Sequence, residues 1–138
     1  MGLVDALEHL AGAFSPFDEL VDKTAESVVE GTQESDRLGY GGNDAVIFSF
    51  TDGTKYELTH HQDCCESVWV EDIIGDLNDL VGSPLLMAEE AYEDASDNDD
   101  SMTWSFYKFA TAKGYVTIRF CGTSNGYYSE TAGLYRIA

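Results

Sequence analysis

The chain has 138 residues, 43% of them hydrophobic, which is enough for one domain with an ordinary core and argues against disorder. Its 26 acidic residues against 7 Lys and Arg leave a formal charge of −19, which disfavours direct contact with nucleic acid or anionic lipid and favours basic partners. No apolar stretch is long enough to span a bilayer and Met1–Asp5 lacks the basic start of a secretory signal, so a soluble, unexported protein with no membrane partner is expected.

Residues 1–36 read as a helical N-terminal extension. Leu3, Leu7, Leu10 and Phe14 share one helical stripe, and Ser15-Pro16 offers a cap followed by proline at a first helical position. Phe17, Leu20, Val21, Thr24, Val28 and Val29 continue the helical period to a stop at Gly31. Arg37 to Asp44, with three glycines, reads as a linker to a domain over residues 45–138.

In that domain Ala45–Phe50 and Lys55–His61 flank an Asp52-Gly53 turn, a strong hairpin signal. Val70–Val81 carries Ile73, Ile74, Leu77 and Leu80 at helical spacing, with Gly82 and Pro84 beyond its end. Leu85–Tyr92 alternates weakly and is assigned to strand, and the acidic run Glu93–Ser101 to an exposed loop. Thr103–Ala112 and Tyr115–Cys121 around Lys113-Gly114 form a second hairpin, with Val116, Ile118 and Phe120 facing one way and Tyr115, Thr117 and Arg119 the other. The expected fold class is therefore α+β: a small antiparallel sheet of two hairpins packed with one helix, behind a helical extension.

Two polar knots stand out, each just after a strand: His60-His61-Gln62-Asp63-Cys64-Cys65-Glu66, and Thr123 to Tyr128. Together they suggest one pocket built from two distant segments. Adjacent cysteines rarely bridge and are poorly spaced for zinc, so no metal is expected, and Cys64 and Cys65 read as small, buried residues at a strand-to-helix turn. Asp63 and Glu66 oppose a reactive thiolate and no oxyanion donor can be named, so the chain is not expected to be an enzyme. The Asp94–Asp100 run lacks the glycine and glutamate of a calcium-binding loop. Arg119, mid-strand and followed by a Tyr127-Tyr128 pair, is a candidate anion ligand, and a structural ion pair is its competing role.

The blocks Asp52-Gly53-Thr54, His61 to Val68, Asp72 to Leu77, Gly82-Ser83-Pro84, Ala88-Glu89-Glu90, Trp104 to Lys108, Gly114 to Arg119 and Thr123 to Glu130 resemble a family widespread in phage genomes and described as a domain of unknown function, over about Ala45 to Ala132. Asp63-Cys64-Cys65 with Trp69, and Arg119 with Ser124 to Tyr128, are also similar to phage anti-Thoeris sponge proteins. That resemblance implies an oligomer in the cytoplasm of an infected bacterial host that sequesters a cyclic nucleotide or ADP-ribose-type immune signal without cleaving it and without a cofactor. It also implies that Arg119 contacts a phosphate while Asn125, Tyr127 or Tyr128 shapes the pocket; the His61 to Cys65 turn is then a second wall or a scaffold for it, with His61, Asp63 and Trp69 as further candidate ligand residues. The alternative is an acidic, nucleic-acid-mimicking inhibitor that binds a basic host defence protein, as anti-CRISPR or anti-restriction proteins do.

Overall fold

The computed structural model describes residues 14–34, 42–96 and 100–138. The helix expected over 3–13, most of the linker expected over 37–44, and residues 97–99 of the acidic loop lie outside these. Eight strands form two antiparallel four-stranded sheets. Sheet I has the order β1 (Ala25–Thr32), β2 (Asp44–Phe50), β3 (Lys55–Thr59), β8 (Gly133–Arg136), and sheet II the order β4 (Ser67–Ile74), β7 (Gly114–Ser124), β6 (Ser101–Thr111), β5 (Met87–Asp94).

The α+β expectation is overturned, because the described helices are two four-residue 3-10 turns, Phe17–Leu20 and Leu77–Leu80. The second helix of the expected extension stops after one turn. Asp22 takes a left-handed φ of 73°, and residues 25–32 become a strand on β2 with Val28 opposite Phe48. A paired strand satisfies the backbone of this segment and gives its adjacent valines a β-branched preference. Val70–Val81 is likewise no helix but the end of β4 followed by a turn. Gly75 has φ 108°, and a Cβ there would lie 2.6 Å from the Tyr115 carbonyl oxygen, so the chain must break at that point. The Asp76 carboxylate then accepts the Asn78 N–H at 2.9 Å. A bulge between Val70 and Asp72 disturbs the two-residue alternation of β4, which is why its apolar residues imitate a helical period.

Both hairpins form as expected: β2 and β3 close over Gly53 with φ 90°, and β6 and β7 close between Thr111 and Gly114. Leu85–Tyr92 is also strand in large part, as β5. The inner faces share one core. Phe48 of β2 meets Phe109 of β6 with ring centroids 5.0 Å apart, and Phe17 stacks on Tyr107 at 5.5 Å. Phe48, Phe50, Tyr56, Leu58, Leu134, Tyr107, Phe109, Ile118 and Phe120 are all almost fully buried. Each such side chain contributes about 1.5–3 kcal/mol, which explains why eight short strands need no long helix to cover them.

Edge strands leave unpaired backbone along one side, and here they carry carboxylates: Glu26 and Glu30 on β1, Glu71 and Asp72 on β4, and Glu89, Glu90, Glu93 and Asp94 on β5, all exposed. No described helix is long and apolar enough to cross a membrane.

Candidate functional site

The first polar knot is a tightly satisfied turn between β3 and β4. His60 is buried, with Nε2 2.7 Å from Glu66 Oε2 and Nδ1 2.9 Å from the Thr131 carbonyl oxygen. Burial alone would raise the pKa of Glu66. The N–H groups of Asp63 and Cys64, each 2.8 Å from its oxygens, together with His60, outweigh that and hold it at about 2. Gln33 and Asn43 donate to the His60 carbonyl at 2.7 and 2.9 Å, and Asn43 also donates to Gln62 Oε1. The Asp44 carboxylate accepts the Val70 N–H at 3.0 Å, so β2 is tied to β4 beside the turn.

Three expectations for this segment change. Cys64 and Cys65 are exposed, joined in a disulfide, and connect strand to strand. His61 stacks on Tyr135 of sheet I, with centroids 3.8 Å apart, and so turns to a different surface from Cys65. Asp63 is exposed and contributes its backbone N–H to Glu66.

The second knot is also largely self-satisfied. Ser124 Oγ accepts the Gly126 N–H at 2.9 Å, Asn125 Oδ1 accepts the Tyr127 N–H at 3.0 Å, and Gly126 has φ 91°. Glu130 is buried and its carboxylate accepts from Thr103 Oγ1 at 2.8 Å and from the Ser124 hydroxyl. This return segment crosses so close to β7 that a Cβ on Gly122 would lie 1.9 Å from the Glu130 carbonyl oxygen. Tyr107 OH then donates to the Ala132 carbonyl at 2.7 Å.

The His60–Thr131 contact ties the two knots together, and between them opens a cleft of about 710 Å³. Cys65 and Glu66 line one side and Thr123, Ser124, Asn125 and Tyr128 the other, with Ala95, Asp100 and Met102 completing it. The expected pocket from two distant segments is present. Tyr127 stands 84% exposed, its ring edge-on to Tyr128 at 5.1 Å, and is not part of the lining.

Arg119 and Trp69 lie outside that lining, on the solvent face of sheet II that leads into it. Strand alternation puts Arg119, Cys121 and Thr123 on one face of β7, and register sets Trp69 and Trp104 on either side of Cys121, with Phe106 opposite Arg119. The Arg119 guanidinium sits over the Trp104 ring, Cζ 4.8 Å from its centroid. Its Nε is buried without a hydrogen-bond partner, and among the described residues Arg119 forms no ion pair, in a chain with 26 acidic residues. Asp72 of β4 stands opposite Arg119 in the register, but the competing ion pair is not formed among the described residues. Trp69 Nε1 donates to Glu71 at 2.6 Å, which sets the ring along β4. Cys121, between the two tryptophans, is a free, buried thiol whose pKa is pushed up by burial and by Glu71.

Trp104, Phe106 and Lys108 were missed as site residues. The expected turn at Lys113-Gly114 would set Phe106 against Cys121; the observed turn is Ala112-Lys113, with Thr111 opposite Gly114, and it sets Phe106 against Arg119 and Lys108 against Thr117. No group of three or more His, Cys, Asp or Glu side chains among the described residues is placed to hold a metal ion. What the face offers is a cation and aromatic surfaces beside a polar cleft, an arrangement suited to holding an anion with an attached ring.

Neither the curated proteins nor the solved structures include a match to this chain. Residues 18–133, from ahead of β1 to the start of β8, match a family whose description is a domain of unknown function (DUF7448), and the chain belongs to that family.

Proposed function

We propose that this chain is a non-catalytic binding protein that sequesters a cyclic nucleotide or ADP-ribose-type signal, acting as a phage-encoded counter-defence protein in the cytoplasm of an infected bacterium, as its similarity to anti-Thoeris sponges implies. The observation that carries the reading is Arg119, a guanidinium in no ion pair among the described residues, stacked on Trp104 on the face of the sheet that leads into the 710 Å³ cleft. A charge of −19 repels an anion at distances up to about one Debye length, roughly 8 Å at physiological ionic strength. Retention must therefore come from contacts at short range, and a bidentate guanidinium supplies the strongest of these for phosphate.

The test is to incubate the protein with lysate of cells whose nucleotide-signalling defences are active, release bound small molecules by heating, and weigh them. Native mass spectrometry of the same sample reads the expected homo-oligomer. Wild-type protein retains a nucleotide and Arg119→Ala does not, while remaining folded. Unchanged retention by Arg119→Ala, or empty protein from several such lysates, sinks the proposal.

One observation favours a second reading. The β5 edge presents Glu89, Glu90, Glu93 and Asp94 to solvent along a strand with no further strand beside it among the described residues, a surface on which a basic host protein could sit in place of its nucleic acid. Reversing these four to lysine abolishes inhibition on that reading, and reversing only Glu90 and Asp94, which do not stand opposite Lys108 or Trp104, leaves nucleotide retention intact. Loss of retention with inhibition unaltered removes it.

A further inference from the structure

Cys64 and Cys65 are bonded sulfur to sulfur on the exposed surface of the turn between β3 and β4, and Cys65 lines the cleft. The bridge is not what holds that turn. Glu66 accepts the N–H groups of Asp63 and Cys64 at 2.8 Å each, Gln62 Nε2 donates to the carbonyl oxygens of Cys64 and Glu66, and His60 links Glu66 to Thr131, all without a sulfur atom. A bond between sequence neighbours encloses no intervening chain. It therefore removes little conformational freedom from the unfolded state, which is where the chain-entropy model places the stabilisation by a disulfide.

The third cysteine is the opposite case. Cys121 is buried mid-strand, opposite Trp69 on one side and Trp104 on the other, and is sheltered from reagents in water. Nothing comparable shields the pair, since Cys64 and Cys65 are both exposed and the cleft of about 710 Å³ beside Cys65 gives a small thiol room to approach its sulfur. Access of this kind separates disulfides that exchange from disulfides that only brace a fold. In a reducing compartment the distinction sharpens, because the disulfides found there in mesophiles are usually transient ones with redox chemistry.

We infer that Cys64 and Cys65 form a reversible thiol-exchange site on the wall of the cleft, whose substrates are dithiols in the reducing direction and disulfides in the oxidising one. A thiolate of the dithiol attacks Cys65 Sγ from the cleft side, the bond to Cys64 breaks, and Cys64 leaves as a thiolate that takes up a proton. The second thiol of the reductant, once deprotonated, displaces Cys65 from the mixed disulfide. The reductant departs as a disulfide, and its two protons and two electrons end on the two cysteines. An external disulfide reverses both steps. The cleft thus has two walls, one a closed sulfur bridge and the other a pair of weak hydrogen-bond donors. The site is independent of what the cleft holds.

The experiment labels the full wild-type chain with N-ethylmaleimide and reads the adducts by intact mass. Protein purified without reductant takes up no label when native and one label in urea, at Cys121. After dithiothreitol and desalting, the native protein takes up two labels, which peptide mapping places on Cys64 and Cys65. Subsequent oxidised glutathione returns it to no label and to a mass two hydrogens lower. Cys121→Ser keeps the native pattern and loses the label in urea, and the urea midpoint of wild-type protein is the same in both redox states. Three labels in urea without reductant, labelling of the pair only after unfolding, or failure of oxidised glutathione to restore the bridge overturns the site. A urea midpoint that falls on reduction as far as it does in Glu66→Ala also overturns it, by making the bond structural. Arg119→Ala labels as wild-type does, so loss of the nucleotide reading leaves this result unchanged.

Discussion

The His60–Glu66 turn and the Arg119–Lys108 face divide the chemistry of this molecule in opposite ways. The turn holds the densest set of ionisable side chains in the sequence, and its two buried members are paired: Glu66 with two backbone N–H groups and His60, and His60 onward with Thr131. The face holds two cations among aromatic rings, and neither is in an ion pair among the described residues. Buried polar groups left unpaired are costly, so a fully paired cluster is what a scaffold requires, while an unpaired cation at a surface retains its capacity for a ligand. Density of reactive side chains therefore goes with the support here, and sparse charge with the candidate site.

That contrast breaks most visibly at Glu66. Glu66→Ala removes the acceptor for Asp63 N–H, Cys64 N–H and His60 together, and is expected to cost about 3 kcal/mol or more, read as a fall in the urea midpoint. A loss below about 1 kcal/mol would show that the turn is not the support described. Smaller, and graded, is the response to acid. The carboxyl of Glu66 titrates from an ordinary value of 4.5 when unfolded to about 2 when folded, so the unfolded chain binds its proton first as pH falls. Its stabilising contribution is complete above about pH 4.5 and is lost as pH drops towards 2. In Glu66→Gln that part of the acid dependence disappears, which urea melts between pH 2 and 6 would measure. The smallest effect on stability belongs to the face. Arg119→Ala gives up a partly buried cation over a tryptophan, about 0.5–2 kcal/mol, and Lys108→Ala is expected within about 0.5 kcal/mol of wild-type in thermal melts. If either costs as much as Glu66→Ala, the face is structural and the contrast fails.

Much of sheet II was legible in the sequence because β6 and β7 alternate cleanly around a two-residue turn, so the side of the strand carrying Arg119 followed directly. The meeting of the two polar knots was legible for the same reason, each lying just after a strand. β1 and β4 were not. Each carries a register shift, between Ala25 and Ser27 and between Val70 and Asp72, and one inserted residue turns a two-residue alternation into spacings of three and four that imitate a helix. Glu66 and His60 stood out by sequence proximity, and in the folded chain they are buried against each other. Lys108 escaped attention because it looks like an ordinary surface lysine until cross-strand pairing places it diagonal to Arg119.

The carboxylates on the edges of both sheets bear on how much of this protein a solution can hold. A molecule that removes a signal without destroying it works stoichiometrically, so its binding sites must outnumber the signal molecules. Unprotected strand edges would turn such abundance into aggregation, whereas edges lined by Glu26, Glu30, Glu71, Asp72, Glu89 and Glu93 disfavour edge-to-edge strand pairing between copies. On the sequestering role proposed above, the acidity would serve capacity: it would set the concentration of empty sites that can be maintained, while Arg119 would set what fills them.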